Sequence, residues 1–134
     1  MEAKKSPFKF NGYLVKHSEI NLSEHIPDGE ELKIEIEPSG IKRGVDFTLT
    51  LSLHLHDDGG LFDLKADVLG YFTFKDETDD IPDFFTLNAP AILFPYIRAY
   101  VSLLTSLSGK GTVNLPTLNL SGMVGKLKDN ITIE

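Results

Sequence analysis

Residues 47–55 leave this chain the fewest options. Phe47, Leu49, Leu51, Leu53 and Leu55 alternate with Thr48, Thr50, Ser52, His54 and His56, and a strict period of two places all the apolar side chains on one face of a strand. A helix would scatter them around its circumference. Asp57-Asp58-Gly59-Gly60 follows, and then a second run in which Phe62, Leu64, Ala66 and Val68 are the apolar members. Two alternating runs about an Asp-Gly pair are the signature of a β-hairpin. With Asp58-Gly59 as a two-residue loop, Leu55 stands opposite Phe62, Leu53 opposite Leu64, Leu51 opposite Ala66 and Leu49 opposite Val68. On the reverse face His54 meets Asp63, Ser52 meets Lys65 and Thr50 meets Asp67. The expected sheet has one dry face and one wet face.

Two strands precede the hairpin. Phe8 and Phe10 set an apolar phase that moves to Tyr13 and Val15 after Gly12, as a one-residue bulge would produce. A turn cluster at Pro27-Asp28-Gly29 leads to Leu32, Ile34 and Ile36, which alternate with Lys33, Glu35 and Glu37 until Pro38-Ser39-Gly40. Beyond Phe74 lies an acidic stretch, Asp76 to Asp80. The main helix is predicted to begin around Pro95, because a proline fits a first helical position, and to end near Gly109. Its apolar residues are Tyr96, Ile97, Tyr100, Val101, Leu103, Leu104 and Leu107, while Arg98 is its one charge. So lightly charged a helix implies contact between subunits. Val113 to Leu120 reads as an extended arm, and Gly122 and Gly125 disfavour a long final helix. The expectation is a single α+β domain over residues 1–134: a four-stranded antiparallel sheet, one main helix and a short C-terminal arm.

Composition narrows the function classes. The 134 residues include no cysteine, which removes disulfides, thiol nucleophiles and thiolate metal sites and makes the cytoplasm the expected location. A formal charge of −7 argues against nucleic acid or anionic lipid as a partner. No membrane insertion is expected either, since the stretch from Ala89 to Leu107 is interrupted by two prolines, Arg98 and several hydroxyls, and the N-terminus shows no apolar export signal. Ser108-Gly109-Lys110-Gly111-Thr112 lacks the spacing and the strand-to-helix context of a phosphate loop, and no nucleophile elbow occurs. His54-x-His56-Asp57 is a conceivable metal arrangement, but the histidines continue the polar face of their strand, and the reading taken is a solvated face. The expectation is therefore no enzyme, no cofactor and no metal.

Pro90-Ala91-Ile92-Leu93-Phe94-Pro95-Tyr96-Ile97-Arg98, followed by a helix, a glycine-containing break and Leu115-Pro116-Thr117-Leu118-Asn119-Leu120, closely resembles the signature of the SecB family of protein-export chaperones. Leu-Phe-Pro-Tyr-x-Arg is its specific part. The resemblance implies an ATP-independent holdase, a dimer of dimers, that binds unfolded precursor polypeptides and passes them to the SecA motor. A chaperone dedicated to one client, such as an antitoxin, is the alternative within the family; a small-ligand carrier or enzyme is the alternative outside it. Phe84, Phe85, Leu118, Leu120 and Met123 are the client-groove candidates, and a place in the core competes with that role. Leu93 to Tyr96 is read as structural, docking the chain on the dry face and starting the helix. Family members continue after the arm with a second helix, which the residues from Ser121 onward indicate is reduced or lost here.

The resemblance also implies a SecA-docking face on the exposed side of the sheet, built on carboxylates. Glu19 matches the first of these, whereas the second falls on Lys65, a reversal of charge. Asp63 and Asp67 flank Lys65 on the same face. Weak or absent SecA binding is expected, with Glu19, Asp63 and Asp67 as its contacts if it occurs.

Overall fold

The computed structural model describes residues 2–24, 32–78 and 80–134. The turn expected at Pro27-Asp28-Gly29 and Asp79 of the acidic stretch lie outside the described residues. Four long strands come first: β1 (Phe8–Leu22), β2 (Lys33–Arg43), β3 (Asp46–His56) and β4 (Phe62–Phe74). Helix α1 (Asp83–Ser106) follows, then a 3-10 turn at Ser121–Met123, the short helix α2 (Val124–Asp129) and strand β5 (Ile131–Ile133). The sheet order is β1-β4-β3-β2-β5.

The four long strands are antiparallel as expected, but β5 runs parallel to β2, pairing Ile131 to Ile133 with Gly40 to Lys42. Among the described residues the sheet is therefore mixed and five-stranded, not four-stranded and antiparallel. Three residues are too few to show a period, and their pairing depends on α2 bringing the chain back to the edge of β2. There the Gly40 N–H donates to the Asn130 carbonyl at 3.1 Å, and the Glu134 N–H to the Lys42 carbonyl at 2.8 Å.

Alternation along β3 and β4 builds the dry face as the sequence predicts: Phe47, Leu49, Leu51, Leu53 and Leu55 are buried together with Phe62, Leu64, Ala66, Val68 and Phe72. Pairing is shifted by two residues from the expected register, with Leu55 opposite Leu64, Leu53 opposite Ala66 and Leu51 opposite Val68. The cause is a longer loop. The Asp57 carboxylate accepts the backbone N–H groups of Leu61 and Phe62 at 2.9 and 3.0 Å, and Gly60 takes the left-handed conformation at φ 72°. Partial desolvation works to raise the Asp57 pKa, but the backbone donors outweigh it and hold the carboxyl below its usual range. A slip of two preserves every side chain's face while changing its partner.

In β1 the expected bulge lies between Phe10 and Gly12, and a second shift follows between Val15 and His17. Gly12 sits at φ 126°, open only to glycine at low cost.

The helix begins twelve residues earlier than predicted, at Asp83 with Pro82 as its N-cap, so Pro90 and Pro95 both lie inside it. Each proline removes an N–H that would serve the carbonyl four residues before it. Burial outweighs the loss: Phe85, Ala89, Leu93, Ile97 and Val101 are at most 1% exposed, forming a continuous apolar stripe against the sheet. Leu93 to Tyr96 consequently lies in mid-helix. By length and composition alone α1 would also pass for a membrane span, and its apolar character is accounted for by this stripe and by the uncharged face described below.

Candidate functional site

The two flanks of α1 are closed differently. On one, the chain after the helix runs back antiparallel to it. Thr105, fully buried, donates its hydroxyl to the Val101 carbonyl and accepts the Val113 N–H, both at 2.8 Å. Ser102 donates to Asn114 at 3.0 Å, and the Arg98 guanidinium lies 5.4 Å from the centre of the Phe94 ring while donating to the Pro116 carbonyl. These contacts lock the arm and carry Leu118 and Leu120 to half-buried positions against the core. Farther on, Lys128 is bonded to Asp83 at the start of α1.

The other flank meets the edge strand β1 through aromatic side chains. Phe84 stacks on Phe8 with centroids 5.8 Å apart, Phe10 meets Tyr96 at 5.5 Å, and Tyr13 stacks on Tyr96 at 4.6 Å. Farther along, the hydroxyls of Ser18 and Tyr100 are 2.6 Å apart. At a helical turn of 100° per residue, Tyr96 and Tyr100 fall on the side opposite Arg98, Ser102 and Thr105, which is why seam and arm do not compete. Tyr13, Phe84, Leu87, Tyr96, Leu103 and Leu107 remain 40–76% exposed. No charged side chain except Arg98 interrupts α1 after Asp83.

The groove candidates divide accordingly. Phe84 belongs to the exposed seam, and Leu118 and Leu120 belong to the arm. Phe85 and Met123 are corrected: Phe85 is 0% exposed and Met123 8% exposed, so both are core residues. Adjacent helix positions point about 100° apart, which separates Phe84 from Phe85. The pattern missed Phe8, Tyr13 and Tyr96 as seam residues; the signal for them was the phase shift of β1 at Gly12, which turns Phe8, Phe10 and Tyr13 toward the same side.

On the wet face the carboxylate candidates are brought together but are partly engaged. Glu19 pairs with His17 at 3.2 Å and stands directly opposite Lys65 in the β1–β4 ladder. Asp63 contacts His54 Nε2 at 2.9 Å, and Asp67 accepts the Ser52 hydroxyl at 2.7 Å. Glu19, Lys65 and Asp67 line one concavity of about 840 Å³ with Glu35, Glu37 and Lys126. A positive charge thus sits in the middle of the acidic face, as the sequence indicated.

No family model matches the chain. It is 31% identical over 136 residues to the uncharacterized protein MJ0357 of Methanocaldococcus jannaschii, in an alignment covering 93% of this chain and 87% of that protein. Its fold is similar to that of the SecB-like chaperone Rv1957 of Mycobacterium tuberculosis, solved with a ChAD peptide from the Rv1956 HigA1 antitoxin: the TM-score is 0.69 at 18% identity, over 84% of this chain and 91% of that one. A protein of unknown function from Streptococcus agalactiae is similar at a TM-score of 0.53 and 10% identity, over 82% and 97% of the two chains. The chain belongs to the family of the Methanocaldococcus jannaschii protein MJ0357, and it carries that family's sequence on a SecB-like fold.

Proposed function

We propose that the protein is an ATP-independent holdase that binds extended, unfolded polypeptide segments. The observation that carries this reading is the seam between β1 and α1, where exposed aromatic rings lie beside a strand that forms the edge of the sheet among the described residues. Such a surface offers a segment both apolar burial, at roughly 25 cal/mol per Å², and backbone hydrogen bonds. A client dedicated to this chaperone is favoured over general export, because the SecB-like neighbour was solved with a peptide from a single antitoxin and because Lys65, set against Glu19, works against an acidic docking face for a motor such as SecA.

Aggregation of a reductively unfolded model protein should be suppressed without ATP. Unchanged light scattering of that client at stoichiometric excess of the chaperone rejects the holdase reading. Co-purification followed by mass spectrometry separates the two client classes: one dominant partner supports the dedicated reading, and many precursors support general export.

The same reading includes self-association, as a dimer or a homotetramer in the cytoplasm. Leu103 is 60% exposed and Leu107 76% exposed on a helix of 24 residues with two charges, an apolar surface that a lone chain would leave in water. Multi-angle light scattering should give twice or four times the 14.9 kDa chain mass, and Leu103→Glu should lower it. A mass equal to one chain at micromolar concentration defeats the assembly.

A further inference from the structure

The wet face holds a side-chain cluster that binding of polypeptides does not use. His54 and His56 stand two apart on β3 with their rings stacked, centroids 4.5 Å apart. Glu35, the β2 residue paired with His54, brings Oε2 to 3.4 Å from His54 Nδ1 and 3.6 Å from His56 Nε2. One donor atom from each of the three lies within 4.8 Å of the others. Among the described residues His56 Nε2 is buried without a hydrogen-bond partner, an orphaned nitrogen whose lone pair a bound ion would satisfy.

Asp63 adds the fourth element. Its carboxylate lies 2.9 Å from His54 Nε2, which favours the N–H on that nitrogen and leaves the lone pair of Nδ1 facing Glu35. A lone pair opposed to a carboxylate is satisfied by a proton or by a metal cation between them, and the histidine–glutamate spacing is of the size a metal ion needs. Ligands at about 2.0–2.1 Å from a tetrahedral zinc ion stand roughly 3.3–3.4 Å apart, close to the two histidine–glutamate separations. Lys33, opposite His56 in the ladder, has its ammonium drawn to Asp58 at 2.9 Å. Lys65, opposite His54, is exposed and has Glu19 on its other side. Neither lysine is bonded to the cluster.

We propose that Glu35, His54 and His56 form a binding site for one divalent transition-metal ion of the zinc class, with Asp63 positioning His54. Imidazole and carboxylate donors suit zinc, nickel or copper better than magnesium or calcium, and three protein ligands leave a fourth position for water or an outside donor. Alternation along β3 disguised the site, because its third ligand comes from a neighbouring strand.

The test is a zinc titration of the metal-free protein against a chromophoric chelator, with thermal melts in parallel. One zinc per chain is expected, with a melting temperature that rises on zinc addition. His54→Ala and His56→Ala should each weaken binding by about 100-fold or more and abolish the thermal shift, and Asp63→Asn should weaken it by about 10–100-fold. Glu35→Gln, which keeps the shape of the side chain, should lower affinity by at least about tenfold, and His17→Ala should leave it unchanged. Zinc binding that survives in the His54→Ala, His56→Ala double variant, absence of zinc binding, or equal response to magnesium overturns the proposal. None of these readouts depends on chaperone activity.

Discussion

Phe85→Ala should lower the free energy of unfolding by about 3–5 kcal/mol, while Phe84→Ala, one residue away, should lower it by no more than about 1.5 kcal/mol. Phe85 is wholly buried at the point where four other rings converge. Phe74 lies 4.7 Å from it, Phe47 4.8 Å, Phe8 4.9 Å and Phe72 5.3 Å, centroid to centroid. Removing the ring loses its transfer free energy, leaves a cavity and ends all four contacts at once. Phe84 is 40% exposed and stacks on the ring of Phe8, so its removal opens onto solvent and leaves no enclosed cavity comparable to that of Phe85. Domains of this size are stable by only about 5–15 kcal/mol, which makes the first loss severe. Urea melts with unchanged m-values would measure both. Equal costs at the two positions would mean that the boundary between core and surface in the first turn of α1 is misplaced.

That boundary was not legible in the sequence, because Pro90 and Pro95 concealed the helix that defines it. Read as irregular chain before Pro95, Phe84 and Phe85 are equivalent neighbours; the helix from Asp83, with its buried stripe from Phe85 to Val101, is what fixes which of the two faces inward. The β3–β4 pair shows the opposite situation. Its faces followed directly from the period of two, and they survived an error of two residues in register because such a slip is invisible to that period. Pairing depended instead on the loop, where the Asp57 carboxylate binding two backbone N–H groups selects a longer turn than Asp58-Gly59 alone would suggest. The His54–Asp63 contact was expected and is present, though the residue directly opposite His54 is Lys65, so the bond forms diagonally. Glu35 could not be placed beside His54 and His56 at all, since joining β2 to β3 in register needs tertiary information. The same holds for β5, whose three residues acquire meaning only beside Gly40.

Gly40 is also where the smallest side chain should have the largest consequence. A Cβ built there would stand 2.3 Å from Phe47 Cζ and 2.8 Å from Cε1, well inside contact distance. The far end of a flexible side chain could move aside; this ring cannot. Phe47 is 1% exposed and is held edge-on by Phe74 at 6.2 Å and by Phe85 at 4.8 Å. Gly40→Val should therefore cost about 3 kcal/mol, the upper part of the usual range for overpacking. The strand itself has little room to retreat, because the Gly40 N–H is bonded to the Asn130 carbonyl at 3.1 Å and the residue pairs with Ile131. Strain at Gly40 should consequently reach β5, and amide exchange should quicken at Thr132 and Ile133 before it does in β3. A double-mutant cycle isolates the cause: in a Gly40→Ala background, Phe47→Leu should cost less than it does alone, with a coupling of about 1 kcal/mol or more. Strictly additive costs would show that the ring of Phe47 is not what excludes a side chain from position 40.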